Sequence, residues 1–225
     1  MRLLPLLFVS FLSPSGFTES GPKSTLQKPE PVVSEIERSL KSLRQKSGAA
    51  LRLKKRTTNT LLGREKKSEG RLYYKQGKLR LELKAPEDTL VIMDGKTLWL
   101  VTVLGEELGG KTMVTKTSAR SFKKASTIMA ALIENQKLLK EFNLQSRQVK
   151  GEEVQLSFLP KNKEGEIQSL DLWLNPQAER LLKVVYTDDK ENEVEFELGV
   201  PEVIESDSTK LFSYVPPKGA EVTEI

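Results

Sequence analysis

Apolar side chains fall on every second residue in four separate stretches of this chain, and that period admits few folds. Leu79, Leu81 and Leu83 alternate with Arg80, Glu82 and Lys84, and Val154, Leu156 and Phe158 alternate with Glu153, Gln155 and Ser157. The same holds for Leu170, Leu172 and Leu174 against Ser169, Asp171 and Trp173, and for Val194, Phe196 and Leu198 against Glu193, Glu195 and Glu197. Successive side chains of a strand point to opposite faces, so each stretch reads as a strand with one oily and one wet face. Gly77, Lys163 to Gly165, Asn175-Pro176 and Asp188-Asp189 punctuate the strands as turns. The pattern predicts an antiparallel sheet.

One stretch breaks the rule of a single oily face. In "LVIMDGKTLWLV" (90–101) the pair Asp94-Gly95 suits a two-residue type I′ hairpin turn, which needs positive φ at both positions. That register sets Met93 opposite Lys96, Ile92 opposite Thr97, Val91 opposite Leu98 and Leu90 opposite Trp99. One face then carries Val91, Met93, Leu98 and Leu100, and the other carries Leu90, Ile92, Trp99 and Val101. Both faces need cover.

Two helical segments can supply some of it. Val33, Ile36, Leu40 and Leu43 recur at helical spacing behind an S-x-x-E start at Ser34 and Glu37, ending near Gly48. Between Phe122 and Phe142, Ile128, Met129, Leu132, Ile133, Leu138 and Leu139 form a wide apolar face without Gly or Pro. Helices lying across the concave side of a curved sheet would enclose either a filled core or a pocket, and periodicity fits both.

Omissions in the composition exclude much chemistry. The 225 residues contain no Cys and no His, which removes disulfides, thiolates, thiolate zinc sites and the usual general base. No G-x-S-x-G, S-x-x-K or phosphate loop is present. No catalytic residue, metal site or cofactor is expected. Asp188-Asp189, beside Lys190 and Asn192, reads as a turn before it reads as a cation site. Arg80, alone among leucines, reads as solvent-facing.

The N-terminus "MRLLPLLFVSFLSPSG" has a basic start, an apolar run from Leu3 to Leu12 and then small residues, the outline of an export signal over residues 1–16. The apolar run is about half the roughly 20 residues that span a bilayer. A polar, Pro-containing tether over 17–31 and a single domain over 32–225 follow. Charge is uneven along the chain. Residues 38–84 hold sixteen Lys or Arg against three Glu, whereas 85–225 net −7. The run Lys54, Lys55, Arg56 is a candidate docking patch for an acidic partner or anionic headgroups, set against a merely solvated basic face. With no aromatics interleaved, nucleic acid is not expected.

Four blocks, in order, resemble the periplasmic outer-membrane lipoprotein carriers of the LolA type. They are "LRLELKAP" (79–86), "PEDTLVIMDGKTLWLV" from Pro86, "LIENQ" (132–136) and "LFSYVPPKGAEV" (211–222), and the resemblance spans about residues 32–222. It implies a mainly β, α+β fold: an unclosed, strongly curved antiparallel barrel of about 10–11 strands, with helices covering a hydrophobic cavity. It also implies a monomeric periplasmic carrier that shields lipoprotein acyl chains in transit. The implied route runs from an inner-membrane ABC-type lipoprotein-releasing complex to an outer-membrane lipoprotein receptor or the membrane surface. The expected cavity wall is Leu79, Leu81, Leu83, Leu90, Ile92 and Trp99, and the expected lid face is Met129, Leu132 and Ile133. Two departures stand out. Gln76-Gly77 replaces the Arg-Pro pair whose Arg helps to latch the family's lid, and leucines replace aromatics at 79 and 81. A module of the same fold that shuttles or senses another lipid is the alternative.

Overall fold

The computed structural model describes residues 29–84, 88–106, 109–118, 138–162, 164–204 and 210–225. The export signal, most of the tether, and the lid residues Met129, Leu132 and Ile133 lie outside these ranges.

Helix α1 (Pro29–Ser39) opens on a proline, whose missing N–H has no partner to lose in the first turn. Helical bonding runs on through Leu40 N–H to Ile36 O and Arg44 N–H to Leu40 O. The buried stripe is Val32, Ile36, Leu40 and Leu43. Val33, expected on that stripe, is only half-buried, and Ser34 is no cap. Its hydroxyl donates to the Pro31 carbonyl at 2.9 Å, inside a helix already under way.

The strands are β1 (Ala49–Asn59), β2 (Arg64–Lys75), β3 (Lys78–Lys84), β4 (Asp88–Met93), β5 (Thr97–Val103) and β6 (Thr112–Ser118). After the short α2 (Leu138–Glu141) come β7 (Phe142–Lys150), β8 (Glu153–Pro160), β9 (Ile167–Asn175), β10 (Arg180–Asp188), β11 (Asn192–Leu198), β12 (Glu202–Val203) and β13 (Glu221–Glu224). They form one sheet in the order β13-β6-β5-β4-β3-β2-β1-β11-β10-β9-β8-β7, with β12 also on β1. Among the described residues, every pairing is antiparallel except β13 with β6. The path does not close on itself. This is the mainly β, unclosed sheet that the sequence predicts, with two short strands, β12 and β13, beyond the expected count.

The expected hairpin register is off by two residues. Met93 pairs with Leu98, Ile92 with Trp99, Val91 with Leu100 and Leu90 with Val101. The Asp94 carboxylate accepts from the Lys96 and Thr97 amides at 2.8 and 2.7 Å while Asp94 N–H donates to the Thr97 carbonyl at 3.2 Å, so the loop is Gly95-Lys96, one residue further on. A shift of two preserves the faces, so the division of side chains stands. The tight primed turn sits instead at Gln76-Gly77, with φ of 48° and 79°, between Lys75 and Lys78.

The concave face holds the core. Leu51 and Leu53 of β1, Leu72 of β2, Leu79, Leu81 and Leu83 of β3, and Val91 and Met93 of β4 join Leu156, Phe158, Leu172, Val184 and Phe196 from the other half of the sheet. Helix α1 packs its stripe into this cluster over β9 and β10. An Arg147 clamp from β7 holds it there, with Nε and Nη2 donating to the two Glu35 oxygens at 3.0 and 2.5 Å. That hydrogen bonding holds the Arg147 guanidinium above its ordinary pKa. At the far end of the helix, the Ser42 hydroxyl donates to the Glu179 carbonyl at 2.6 Å, and Lys41 pairs with the Glu179 carboxylate.

Candidate functional site

Directly paired residues share a face of the sheet, so the ladder decides which expected site residues meet. Leu79 pairs with Met93 and Leu81 with Val91, which puts Leu79, Leu81 and Leu83 on the concave face. Arg80 pairs with Ile92 and Glu82 with Leu90, so Leu90 and Ile92 lie on the convex face with Trp99. The six residues expected as one wall are therefore three and three, on opposite sides of the sheet. The parity of the hairpin by itself divides Val91 from Ile92. Leu79 falls with Val91 and not with Ile92 because of the β3–β4 register, which is not written in either strand alone.

The concave set is larger than the sequence suggested. It draws on β8 to β11 as well as on β1 to β5, and its side chains are almost fully buried against one another and α1. Leu100 and Leu144 sit at its margin, half-buried. Tyr186, like Tyr74, brings a phenol into the interior. Burial first, then the Asp188 and Glu166 carboxylates, push its pKa well above the ordinary 10.0. A raised folded pKa means that stability is intact below pH 10 and falls as pH rises further, since the unfolded chain ionises first. Tyr186→Phe is expected to shift the alkaline unfolding midpoint upward, read by circular dichroism. An unchanged midpoint would contradict this assignment.

The convex face of β4 and β5 has its own cover. Ile92, Val101 and Val114 are buried there, outside the main core. The segment 210–217 lies over them. Arg80 Nη1 donates to the Leu211 carbonyl at 3.1 Å while its Nε bonds Glu82 at 2.6 Å. Tyr214 rests on Trp99 with ring centroids 5.5 Å apart. Phe212, between these two anchors, is 3% exposed. Arg80 is thus a strap for the C-terminal segment and not the solvent-facing residue expected from alternation.

The basic run does not form one patch. Alternation along β1 sends Lys54 and Arg56 to the convex face, whereas Lys55 shares the parity of Leu53 and sits 5.9 Å from the Phe196 ring. The acidic strand β11 lies alongside, pairing Lys54 with Glu197 and Arg56 with Glu195. The Arg56 guanidinium bonds Glu195 at 3.0 Å, and that bond and charge raise its pKa. Lys183 continues the row, 3.7 Å from Glu195 and 4.1 Å above the Trp173 ring. Part of the charge asymmetry is thus met across the fold, by Arg56 with Glu195 in the sheet and Lys41 with Glu179 beside the helix.

Two clefts, of about 760 and 1020 Å³, are edged largely by charged side chains, with Leu53 and Leu198 also lining the first. The first lies around Gly70 among Arg52, Lys54, Arg71 and Lys84, and the second flanks α1 near Lys41 and Glu179. Asp188 is spent as a turn residue, its carboxylate accepting from Lys190 N–H at 2.9 Å and from both Asn192 nitrogens at 2.8 and 2.9 Å.

The outer-membrane lipoprotein carrier protein of Nitrosomonas europaea is similar to this chain, 27% identical over 201 residues that cover 86% of the chain and 91% of that protein. Among solved structures, a LolA superfamily protein from the same organism is 12% identical, with a TM-score of 0.42, over 81% of this chain and 97% of that one. A putative outer membrane lipoprotein-sorting protein domain from Vibrio parahaemolyticus is 13% identical, with a TM-score of 0.37, over 80% and 95% of the two chains. Residues 54–215, well over half of the sequence, match the family described as outer membrane lipoprotein carrier protein LolA, and the chain belongs to that family.

Proposed function

We propose that the chain is a periplasmic carrier that shelters the acyl chains of lipoproteins against the concave face of its sheet and moves them between the inner and outer membranes. The observation that carries this reading is the extent of the apolar surface. One face of an open sheet is lined by leucine, valine and phenylalanine from both of its halves, and family membership supplies the cargo class. An inner-membrane ABC-type releasing complex and an outer-membrane receptor or the membrane itself are the partners this reading calls for.

Energy limits how such a carrier can work. At about 0.8 kcal/mol per methylene, one sixteen-carbon chain fully sheltered is worth roughly 12 kcal/mol. Complete shelter of several chains would make release too slow to be useful. In the closed state the concave side chains already satisfy one another, so entering acyl chains replace existing contacts and their net gain is much smaller.

Leu100 and Leu90 test the reading directly, because both are half-buried on one hairpin and differ only in face. Leu100→Asp is expected to weaken binding of a fluorescent acyl probe at least tenfold, about 1.4 kcal/mol. Leu90→Asp should leave it within twofold. Equal losses in both variants would contradict concave binding. Native mass spectrometry of protein taken from its own periplasm then separates cargoes: a co-purified lipoprotein supports the carrier, and a free lipid supports the alternative shuttle.

A further inference from the structure

The tip of the β1–β2 hairpin carries Leu61 and Leu62, 72% and 66% exposed. Single exposed leucines are ordinary, but an adjacent pair held out at the end of a projection is not. The projection is real in the ladder. Strand β2 pairs with β3 only up to Glu69 with Lys84, whereas its pairing with β1 continues to Arg64 with Asn59. Five residues of β2, about 16 Å of strand, therefore have a neighbour on one side only among the described residues.

The tip is also braced. The Asn59 carboxamide oxygen accepts from Leu62 N–H at 2.8 Å, and its nitrogen donates to the Asn192 side chain at 2.8 Å. The Thr60 hydroxyl donates to the Glu191 carbonyl at 2.6 Å. These bonds hold the backbone just ahead of the pair and the amide between the two leucines, and both side chains remain exposed.

We propose that this hairpin tip is a membrane-contact element, in which Leu61 and Leu62 enter the interfacial zone of an anionic bilayer and the cations behind them meet lipid phosphates. Charge complementarity favours a bilayer as the occupant. Arg64, Lys66 and Lys67 are exposed within five residues of the pair, all on β2, and Glu65 is the single acid among them. The β1 side abuts the acidic strand β11, with Glu193 opposite Thr58. Among the described residues, the cationic side of the tip is therefore the side without a neighbouring strand, where a flat surface can approach. Lysines on a bare strand edge also guard against aggregation, but that role does not account for two leucines at the tip. An apolar wedge backed by cations is the combination that binds anionic interfaces.

Flotation of the whole chain with vesicles tests it, using phosphatidylcholine alone or mixed with phosphatidylglycerol. The parent should float with the anionic vesicles. Leu61→Ser/Leu62→Ser should bind at least tenfold more weakly, and Arg64→Glu/Lys66→Glu should remove the preference for the anionic mixture. Melting temperature and acyl-probe binding should stay at parental values in both, which keeps this test separate from that of the concave face. Failure of the parent to float, or equal flotation of the leucine variant, overturns the proposal. In the first case a partner protein's groove would become the occupant to seek.

Discussion

Gly70→Ala should destabilise the protein by about 3 kcal/mol, the largest effect expected of a Gly→Ala change among the described residues. A Cβ built on Gly70 would stand 1.7 Å from the Glu82 carbonyl oxygen and 2.8 Å from its carbon. Both are backbone atoms of β3, so no side-chain rotation relieves the overlap. Gly70 pairs with Leu53 on one side and Leu83 on the other, at a point where the sheet bends tightly enough to bring two backbones together. Gly63→Ala is the control. Gly63 has a φ of 61° and nothing within 4 Å of an added methyl, so only backbone strain of about 1 kcal/mol is expected there. Urea unfolding of both variants decides the matter. Similar small losses would mean that the bend does not depend on the missing side chain.

Phe212→Ala is the second large expectation, a loss of about 3 kcal/mol. Phe212 is 3% exposed and stands in the chain between Leu211, held by Arg80, and Tyr214, which rests on Trp99, so its removal should loosen the whole segment over the convex side of β4 and β5. Ile92, Val101 and Val114 would then meet water. Two readouts follow. Denaturant unfolding should show the lost stability, and a dye that fluoresces on apolar surfaces should brighten at concentrations where the parent is dark. Tryptophan fluorescence should change as well, because Trp99 loses its neighbour. A stability loss with no new dye binding would show that the cover stays in place without its central ring.

What the sequence discloses depends on how far apart the interacting residues are. The four alternating stretches are strands, with their apolar members buried, because period and burial are both local. The helix stripe departs from expectation by one residue, Val32 in place of Val33, since Ser34 and Glu37 imitate a cap inside a helix that Pro29 begins. Asp94-Gly95 is the favourable pair for a tight hairpin turn, yet the Asp94 carboxylate takes two amides and the loop moves one residue on, to Gly95-Lys96. Gln76-Gly77 makes the tight turn with a glutamine that announces nothing. Other features are beyond local reading. The C-terminal cover joins Arg80 to Leu211, and an ion pair of the basic run joins Arg56 to Glu195, each across more than a hundred residues.

The sheet begins at β13 and ends at β7 without joining its own edges. A closed barrel has a girth fixed by its strand number and stagger, and widening it would mean breaking a column of hydrogen bonds. A sheet with two separate rims has no such constraint. Its radius of curvature can grow while every ladder bond stays made, and the resistance comes only from oily side chains losing touch across the hollow. That resistance is spread over many weak contacts, so it rises gradually with opening and lacks a threshold. For the carrier proposed above, this would let the space between the rims adjust to acyl chains of different number and length by splaying, with Gly70 marking one place where two backbones already lie close.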